Sequence, residues 1–477
     1  MKFGGTSVGS AERIRGVAAI IAAHSSKPLI VVTSAMTGVT DALIQATEAI
    51  ARGDESALKQ HLHDINERHH TAAHELGLDP SPKYDLGAVL TEMLRELHTT
   101  ALAACGRSDS SPQMYDTIVS YGERLCIQLL SAAARQAGVD AQPIEATQLI
   151  VTTDGFSDAE PLLDASAVMA RQTLTPLIKA GIVPIVTGFI GATTEGAITT
   201  LGRGASDYTA TILGYCLDAK AVWIWTDVTG VMTADPRLIP EARTIDHLSY
   251  HEAAELSYFG AKVLHPLTMV PASLKNIPIH IKNTFEPTAV GTQISGLSAD
   301  THGAVKAITT KSGLAMITVQ GKRVSGVPVV AAKVFGALVD ANIEVFLISQ
   351  ASSEHNISFA VKSQAGEHSV AAIREALTGE LAEQTIEDVR LRHALSIVAV
   401  VGEGMQATSG VVGKVFASLG TSGVDVVAIA QGSSERNISC VVEDGDANTA
   451  IKSLHQTFKL VGEKESWLTL PKLLKRK

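Results

Sequence analysis

The chain has 477 residues, 45% of them hydrophobic and 18% charged, and carries a formal net charge of -10 at pH 7. That length exceeds a single core and predicts two to four domains. The acidic balance, with only the terminal "KLLKRK" basic and readable as a solvated tail, argues against a nucleic-acid or anionic-membrane partner.

Four cysteines, Cys105, Cys126, Cys216 and Cys440, lack metal-ligand spacing and read as reduced core thiols. Without a secretory signal or a charge-free apolar stretch of spanning length, the expected location is the cytoplasm. An anionic ligand of so acidic a protein must meet deliberately placed cations.

"MKFGGTSVGSAERIRGVAAII" predicts a strand, a glycine turn and a helix. Ser10 is its cap, Glu12 stands in its first turn, and Ile14, Val17, Ala18 and Ile21 form its apolar face. Backbone N–H groups of such a turn make an anion site, and Lys2 adds a full charge; a tight connection is the structural alternative. No Walker A pattern occurs, so phosphate chemistry here is not P-loop chemistry. "KPLIVVTSAMTGVTDALIQATEAI" repeats the strand–loop–helix rhythm. Residues from about 51 to 105 are polar, His-rich and helical; His70 and His74, four apart, read as a solvated face ahead of a metal pair.

"SYGERLCIQLL" places Glu123 in the first turn of an apolar-faced helix, either as helix-terminal stabilisation or as a counter-charge for an ammonium. "GIVPIVTGFIGAT" and "KAVWIWTDVTGVM" are buried strands running into polar loops. Strands alternating with helices predict a mainly parallel sheet covered on both faces, with ligands at the strands' carboxyl ends. "TTLGRGASDYTATILGY" sets Arg203 between two glycines, suited to clamping a carboxylate or phosphate, with Asp207 at a helix start. "ELSYFGAKVLHP" adds Lys262 beside Gly260.

Beyond "FEPTAVGTQIS" an internal repeat begins. "KVFGALVDANIEVFLISQASSEHNISFAV" from Lys333 aligns without a gap with "KVFASLGTSGVDVVAIAQGSSERNISCVV" from Lys414. Adding the flanking strands and helices predicts two β-α-β-β-α units and a domain break near Ser298–Gly303.

In order along nearly the whole chain, "KFGGTS", "SYGERL", "LGRGASDYTA", "WTDVTGVMTADPR", "SYFGAKVLHP", "KNTFEP" and the doubled "ISQASSEHNIS/IAQGSSERNIS" resemble the aspartate kinase (aspartokinase) family. The resemblance implies an α/β amino-acid-kinase (carbamate-kinase-like) sandwich over 1–298, followed by two α+β, ferredoxin-like ACT domains. These span 303–392, with or without the C-terminal tail, and 393–477. It implies phosphoryl transfer from ATP, with Mg²⁺ held mostly by ATP oxygens, to the side chain of L-aspartate. It further implies a monofunctional enzyme, a homodimer or homotetramer formed through the ACT domains, and feedback by an end-product amino acid, threonine before lysine.

By the same resemblance, Lys2 and Asp207 are catalytic, with Lys2 neutralising the transferring group. Ser34, Thr40, Glu123 and Arg203 hold aspartate. Gly4, Gly5, Thr6, Ser7, Thr226, Asp227, Met232, Arg237 and Lys262 hold ATP. Gln350, Asn356, Ile357, Gln431, Asn437 and Ile438 hold the effector, and no resident metal site is implied. The sequence departs from the family pattern at Ala205, expected to tighten its loop, at Met232 in place of an aromatic, and at Leu267 in place of an arginine. Rival readings are glutamate 5-kinase or acetylglutamate kinase, and a non-catalytic amino-acid sensor. A dinucleotide-dependent dehydrogenase is disfavoured, because "VGEGMQATSG" has the wrong spacing.

Overall fold

The computed structural model describes residues 1–78, 85–202, 204–260, 264–296, 304–321, 327–350, 356–432 and 436–460. It divides into two compact units that interleave along the chain. The first comprises Met1–Val231, Asp246–Ala254 and Lys262–Ser298; the second comprises Met232–Ile245, Glu255–Ala261 and Ala299–Lys477.

The first unit begins β1 (Lys2–Phe3), α1 (Ala11–His24), β2 (Val31–Thr33) and α2 (Val39–Arg52). Four helices come next: α3 (Glu55–Leu76), α4 (Leu86–Cys105), α5 (Pro112–Val119) and α6 (Tyr121–Gln136). After them lie β3 (Ala141–Ile144), β4 (Val151–Thr152), α7 (Leu163–Lys179), β5 (Val183–Thr187), β6 (Ile190–Thr193) and β7 (Ile198–Thr200). Then α8 (Ser206–Cys216), β8 (Val222–Thr226), β9 (His247–Ser249), α9 (Tyr250–Tyr258), α10 (Met269–Leu274), β10 (Ile279–Asn283) and β11 (Thr292–Ser295) complete it, the end of α9 falling in the second unit.

Eight of these strands form one sheet in the order β3-β5-β2-β1-β8-β10-β11-β9, with only the β10–β11 pair antiparallel. The fully buried strands Val31–Thr33 and Val183–Thr187 are what a two-face-covered parallel sheet requires. Helix α1 starts where the capping pattern predicts: Ser10 Oγ accepts from Arg13 N at 3.4 Å, and Ile14, Val17, Ala18 and Ile21 are at most 2% exposed. In α3 the core histidine is His69, whose ring is bonded to Ile65 O and pushed down to about 4 by burial. His74 is exposed, and no group of three or more His, Cys, Asp or Glu able to hold a metal occurs among the described residues. No helix among them is long and apolar enough to cross a membrane.

The second unit runs β12 (Ala307–Gly321), α11 (Val327–Asp340), β13 (Val345–Gln350), β14 (Asn356–Lys362), α12 (Gly366–Ala376) and α13 (Thr378–Ala382). It continues with β15 (Ile386–Val401), α14 (Val411–Thr421), β16 (Ala428–Gln431), β17 (Asn437–Glu443) and α15 (Ala447–Thr457). One sheet joins both repeats in the order β13-β14-β12-β15-β17-β16. Strands β12 and β15 are about twice as long as the repeat alone suggests because each serves both halves. The start of β12 pairs with the end of β15 (Ala307↔Val401), its end pairs with the start of β15 (Gly321↔Ile386), and register shifts lie between. Two cores result: one around Ile317, Phe359 and Val389, the other around Ile308, Val400 and Ile438.

The compact units are not contiguous in the chain, since two short segments before residue 298 group with the second. Segment 232–245 belongs to the second unit because Ala234 and Ile239 are buried in its core beside Val305 and Val415. Thr233 Oγ1 also meets His455 Nε2 at 3.1 Å there. Segment 255–261 is held by Asn437 Nδ2, which donates to Glu255 Oε2 at 2.8 Å.

Candidate active site

Four neighbouring parallel strands end level with one another. Phe3 of β1 registers with Thr33 of β2 and Trp225 of β8, and Thr33 registers with Thr187 of β5. The loops leaving these strands therefore converge: Gly4–Ser7 after β1, Ser34 onward after β2, Gly188–Phe189 after β5 and Asp227 after β8. The result is a cleft of about 570 Å³ whose lining includes Gly5, Thr6, Ser34, Thr40, Glu123, Thr226 and Asp227. The carboxyl ends of parallel strands are where such a sheet leaves polar loops free to bind ligands.

Lys2, in mid-sheet, is held by β2 on one side and β8 on the other, and is only 8% exposed. Its Nζ lies 2.7 Å from Asp207 Oδ1, approaching obliquely, as a charge contact without hydrogen-bond alignment. A Cβ added to Gly4 would sit 3.5 Å from that Nζ, and one added to Gly5 would sit 3.0 Å from Ala35 O. The first distance is ordinary contact, the second is tight, so it is Gly5 that lets the chain pass close over the neighbouring strand end. The turn is a short 3₁₀ segment, Gly5–Val8, closed off before α1 begins. Its backbone, not the α1 terminus, borders the cleft. Ser7 is fully buried, its hydroxyl 2.7 Å from that of Thr284. Asp207 stands in the first turn of α8.

Glu123 occupies the cleft floor at 3% exposure. Its Oε1 accepts from Ala35 N at 3.1 Å, while Oε2 has no partner among the described residues. The carboxyl reaches out of α6 to another segment and also meets its own backbone N–H in the helix's first turn. Burial pushes it up to about 8, against the opposing pull of Ala35 N–H and the Lys2 charge. Because the folded value lies above the ordinary one, this group costs stability as pH rises from about 4.5 to about 8. Glu123→Gln is expected to raise the melting temperature at pH 8.5 by several degrees, roughly 2–4 kcal/mol, and to leave it nearly unchanged at pH 5. Paired thermal melts at the two pH values check this; no gain at pH 8.5 would contradict the buried-acid assignment.

Of the remaining sequence-derived candidates, Arg203 and Lys262 lie outside the described residues. Met232 and Arg237 belong to the second unit; the Arg237 side chain is 82% exposed and paired with Asp235 at 2.6 Å. Gln350 and Gln431 end β13 and β16, opposite Ile357 and Ile438 respectively, and both glutamines are exposed. Asn356 and Asn437 open β14 and β17. Ala205 has φ -75°, an ordinary backbone for any residue, so it imposes no tightening where the pattern has glycine. Leu267 is 44% exposed.

The cleft also includes Asp41, Tyr115, Ser157, Phe189, Thr200 and Ser206, which motif reading did not single out. Phe189 carried the one available signal, an aromatic between the glycines of "TGFIG". It adopts φ +71°, a costly conformation for a bulky residue, and Thr209 Oγ1 accepts its N–H at 2.9 Å.

The amino acid kinase family matches residues 1–283, and the ACT domain matches 317–377 and 398–458. A maize bifunctional aspartokinase/homoserine dehydrogenase 1 is 37% identical over 96% of the chain, which spans about half (50%) of that relative's length. Aspartokinase 3 of Arabidopsis thaliana is 36% identical over 96% of the chain and 81% of its own. Aspartokinase III of E. coli, solved with aspartate and ADP, is 30% identical and superposes with TM-score 0.81 over 96% of this chain and 99% of that one. The same relative solved with lysine and aspartate gives 0.75, over 96% and 98%.

Proposed function

Since the chain belongs to the amino acid kinase family and, within it, to the aspartokinases, we propose that it transfers the terminal phosphoryl group of ATP to the side-chain carboxylate of L-aspartate, giving 4-phospho-L-aspartate and ADP. The observation that carries this reading is the buried Lys2–Asp207 pair at the Gly4–Gly5 turn, whose ammonium acts on the Glu123 carboxyl lining the cleft beside Gly5 and Thr6.

The acceptor carboxylate needs no base, because a free aspartate side chain has a pKa of roughly 3.9 and is ionised at neutral pH. The barrier is the joining of two anions, so the site must neutralise and align them. Lys2 takes the charge of the transferring group; the Gly4 and Ser7 N–H groups are spent on Trp225 O and Gly4 O and shape the turn, so Gly5 and Thr6 are the members offered to phosphate oxygens. Asp207 orients Lys2. Glu123 receives the substrate ammonium, which draws its carboxyl into the ionised form and expels a proton. Ser34 and Thr40 hold the substrate by their hydroxyls, and Arg203 clamps its α-carboxylate. Thr226 and Asp227 take the nucleotide, together with Lys262.

The cleft carboxylates Asp41 and Asp227 fit a hard, hydrated cation. Mg²⁺ enters the proposal bound chiefly through nucleotide oxygens, where it supplies charge neutralisation. An end-product amino acid, threonine before lysine, is the proposed effector at Gln350, Asn356, Ile357 and their counterparts Gln431, Asn437 and Ile438. Pairing of copies through the ACT domains, as a dimer or tetramer, belongs to the same reading. A cytoplasmic location accords with four free, buried cysteines.

The deciding experiment is aspartyl-hydroxamate formation with ATP and Mg²⁺, run with aspartate and with glutamate, and repeated with threonine or lysine added. Turnover of aspartate alone, depressed by threonine, is expected. Turnover of glutamate without aspartate, or of neither, overturns the catalytic reading. Inhibition by lysine alone reverses the effector order.

A further inference from the structure

Asp116 is fully buried on α5, outside the cleft lining, and no step above uses it. Its carboxylate nonetheless collects three donors from two distant segments. Oδ2 accepts from Ser157 N at 2.9 Å and from Thr200 N at 3.0 Å, and Oδ1 accepts from Thr200 Oγ1 at 2.8 Å. Both partners line the cleft, as does Tyr115, the neighbour of Asp116 in the chain.

The two segments need such a hold. Ser157 adopts φ +74°, a left-handed backbone that is uncommon for a residue with a side chain. Thr200 is the last residue of β7, and only five residues separate it from Ser206 at the start of α8. Two of those five, Gly202 and Gly204, have φ +83° and +85°, so the turn is built from conformationally permissive links. Its direction must therefore be imposed from its ends. A Cβ on Gly202 would lie 2.6 Å from Asp158 Oδ1, and Ala159 N donates to Thr200 O at 2.8 Å, so the turn and the 157–159 segment pack as one wall. An asparagine offers one acceptor oxygen to these donors, whereas a carboxylate satisfies all three. A buried carboxylate is otherwise costly, and burial does push this one upward against its hydrogen bonds.

We propose that Asp116 is a positioning residue for the amino-acid side of the site, fixing through Thr200 and Ser157 the wall and glycine turn that grip the phosphoryl acceptor. The inference rests on the aspartate-kinase reading and deepens it. Removing Asp116 leaves the β1 turn and the β8 loop untouched, so nucleotide binding is spared.

In Asp116→Asn, KM for aspartate rises about tenfold or more, as expected for loss of a charged buried hydrogen bond, while KM for ATP stays within about twofold. Thr200→Val removes one of the three bonds and gives a smaller rise in the same direction, about threefold. The double variant is less than additive, because both act through one contact. Amide exchange at 157–160 and 200–204 accelerates in both variants while the rest of the protein keeps its protection. An aspartate KM unchanged in both variants overturns the proposal. So does a parallel change in both KM values with a lowered melting temperature, which marks general damage. Should Asp116→Asn fail to fold, Thr200→Val decides by the same criteria. If the unaltered protein phosphorylates no aspartate, it is the catalytic reading that fails; exchange at 157–160 and 200–204 then still tests the hold, and unchanged protection there overturns it.

Discussion

Lys2→Met is expected to lower kcat by about 10³–10⁵-fold with little change in the KM for aspartate, the range that loss of a cation aimed at a transferring phosphoryl group produces. Methionine keeps the length and packing of the stem and removes only the charge. The fold should survive, since β1 is paired on both sides and Phe3 stacks on Trp225 at 5.8 Å between centroids. Lys2→Arg is not expected to be a rescue, because a planar guanidinium cannot reproduce the point charge of a buried ammonium 2.7 Å from Asp207. Steady-state hydroxamate kinetics, with aspartate binding measured separately by calorimetry, separate the two effects. A kcat within tenfold of the unaltered protein would remove Lys2 from the mechanism.

How much of this was legible in the sequence depends on the range of the interactions concerned. The β1 turn, the Glu123 helix and the Asp207 helix are local patterns: small residues followed by apolar positions with a period near 3.6. Each lies where its pattern predicts. The repeat was legible for the same reason, as identical local motifs 81 residues apart, Lys333 against Lys414. Long-range pairing was not. That β12 and β15 each run through both halves depends on registry between strands about 80 residues apart, and nothing in "AITTKSG" alone announces it. The docking of 232–245 was hidden likewise: Ala234 and Ile239 look like loop residues until their partners Val305 and Val415 are in place. Asp116 escaped because "QMYDTIV" is an ordinary helix fragment, and its value lies wholly in two segments 41 and 84 positions away. His69 is a different failure. It shares a polar run with His70 and His74, and only the helix face it happens to occupy sets it apart as the buried one.

Asp207→Asn separates orientation from proton transfer. If Asp207 removed a proton, the variant would recover as rising pH did the work of the lost base. The acceptor carboxylate carries no proton to remove at neutral pH, so the expected outcome is a kcat lower by about 10²–10³-fold across pH 6.5–9.5, with the shape of the profile retained. The loss arises because the Lys2 ammonium, 8% exposed, forfeits its only described ion-pair partner, the carboxylate 2.7 Å away, and swings from the position the reaction needs. Removing one member of such a buried pair costs about 3–5 kcal/mol in stability when nothing replaces it. A lowered melting temperature that bound ATP largely restores is therefore a second expected sign, since phosphate oxygens can take over the ammonium. Lys2→Met combined with Asp207→Asn should be hardly worse than Lys2→Met alone, as two residues acting through one contact require. Full rate at high pH in the single Asp207→Asn variant would instead make Asp207 a base and would return the acceptor's protonation state to question.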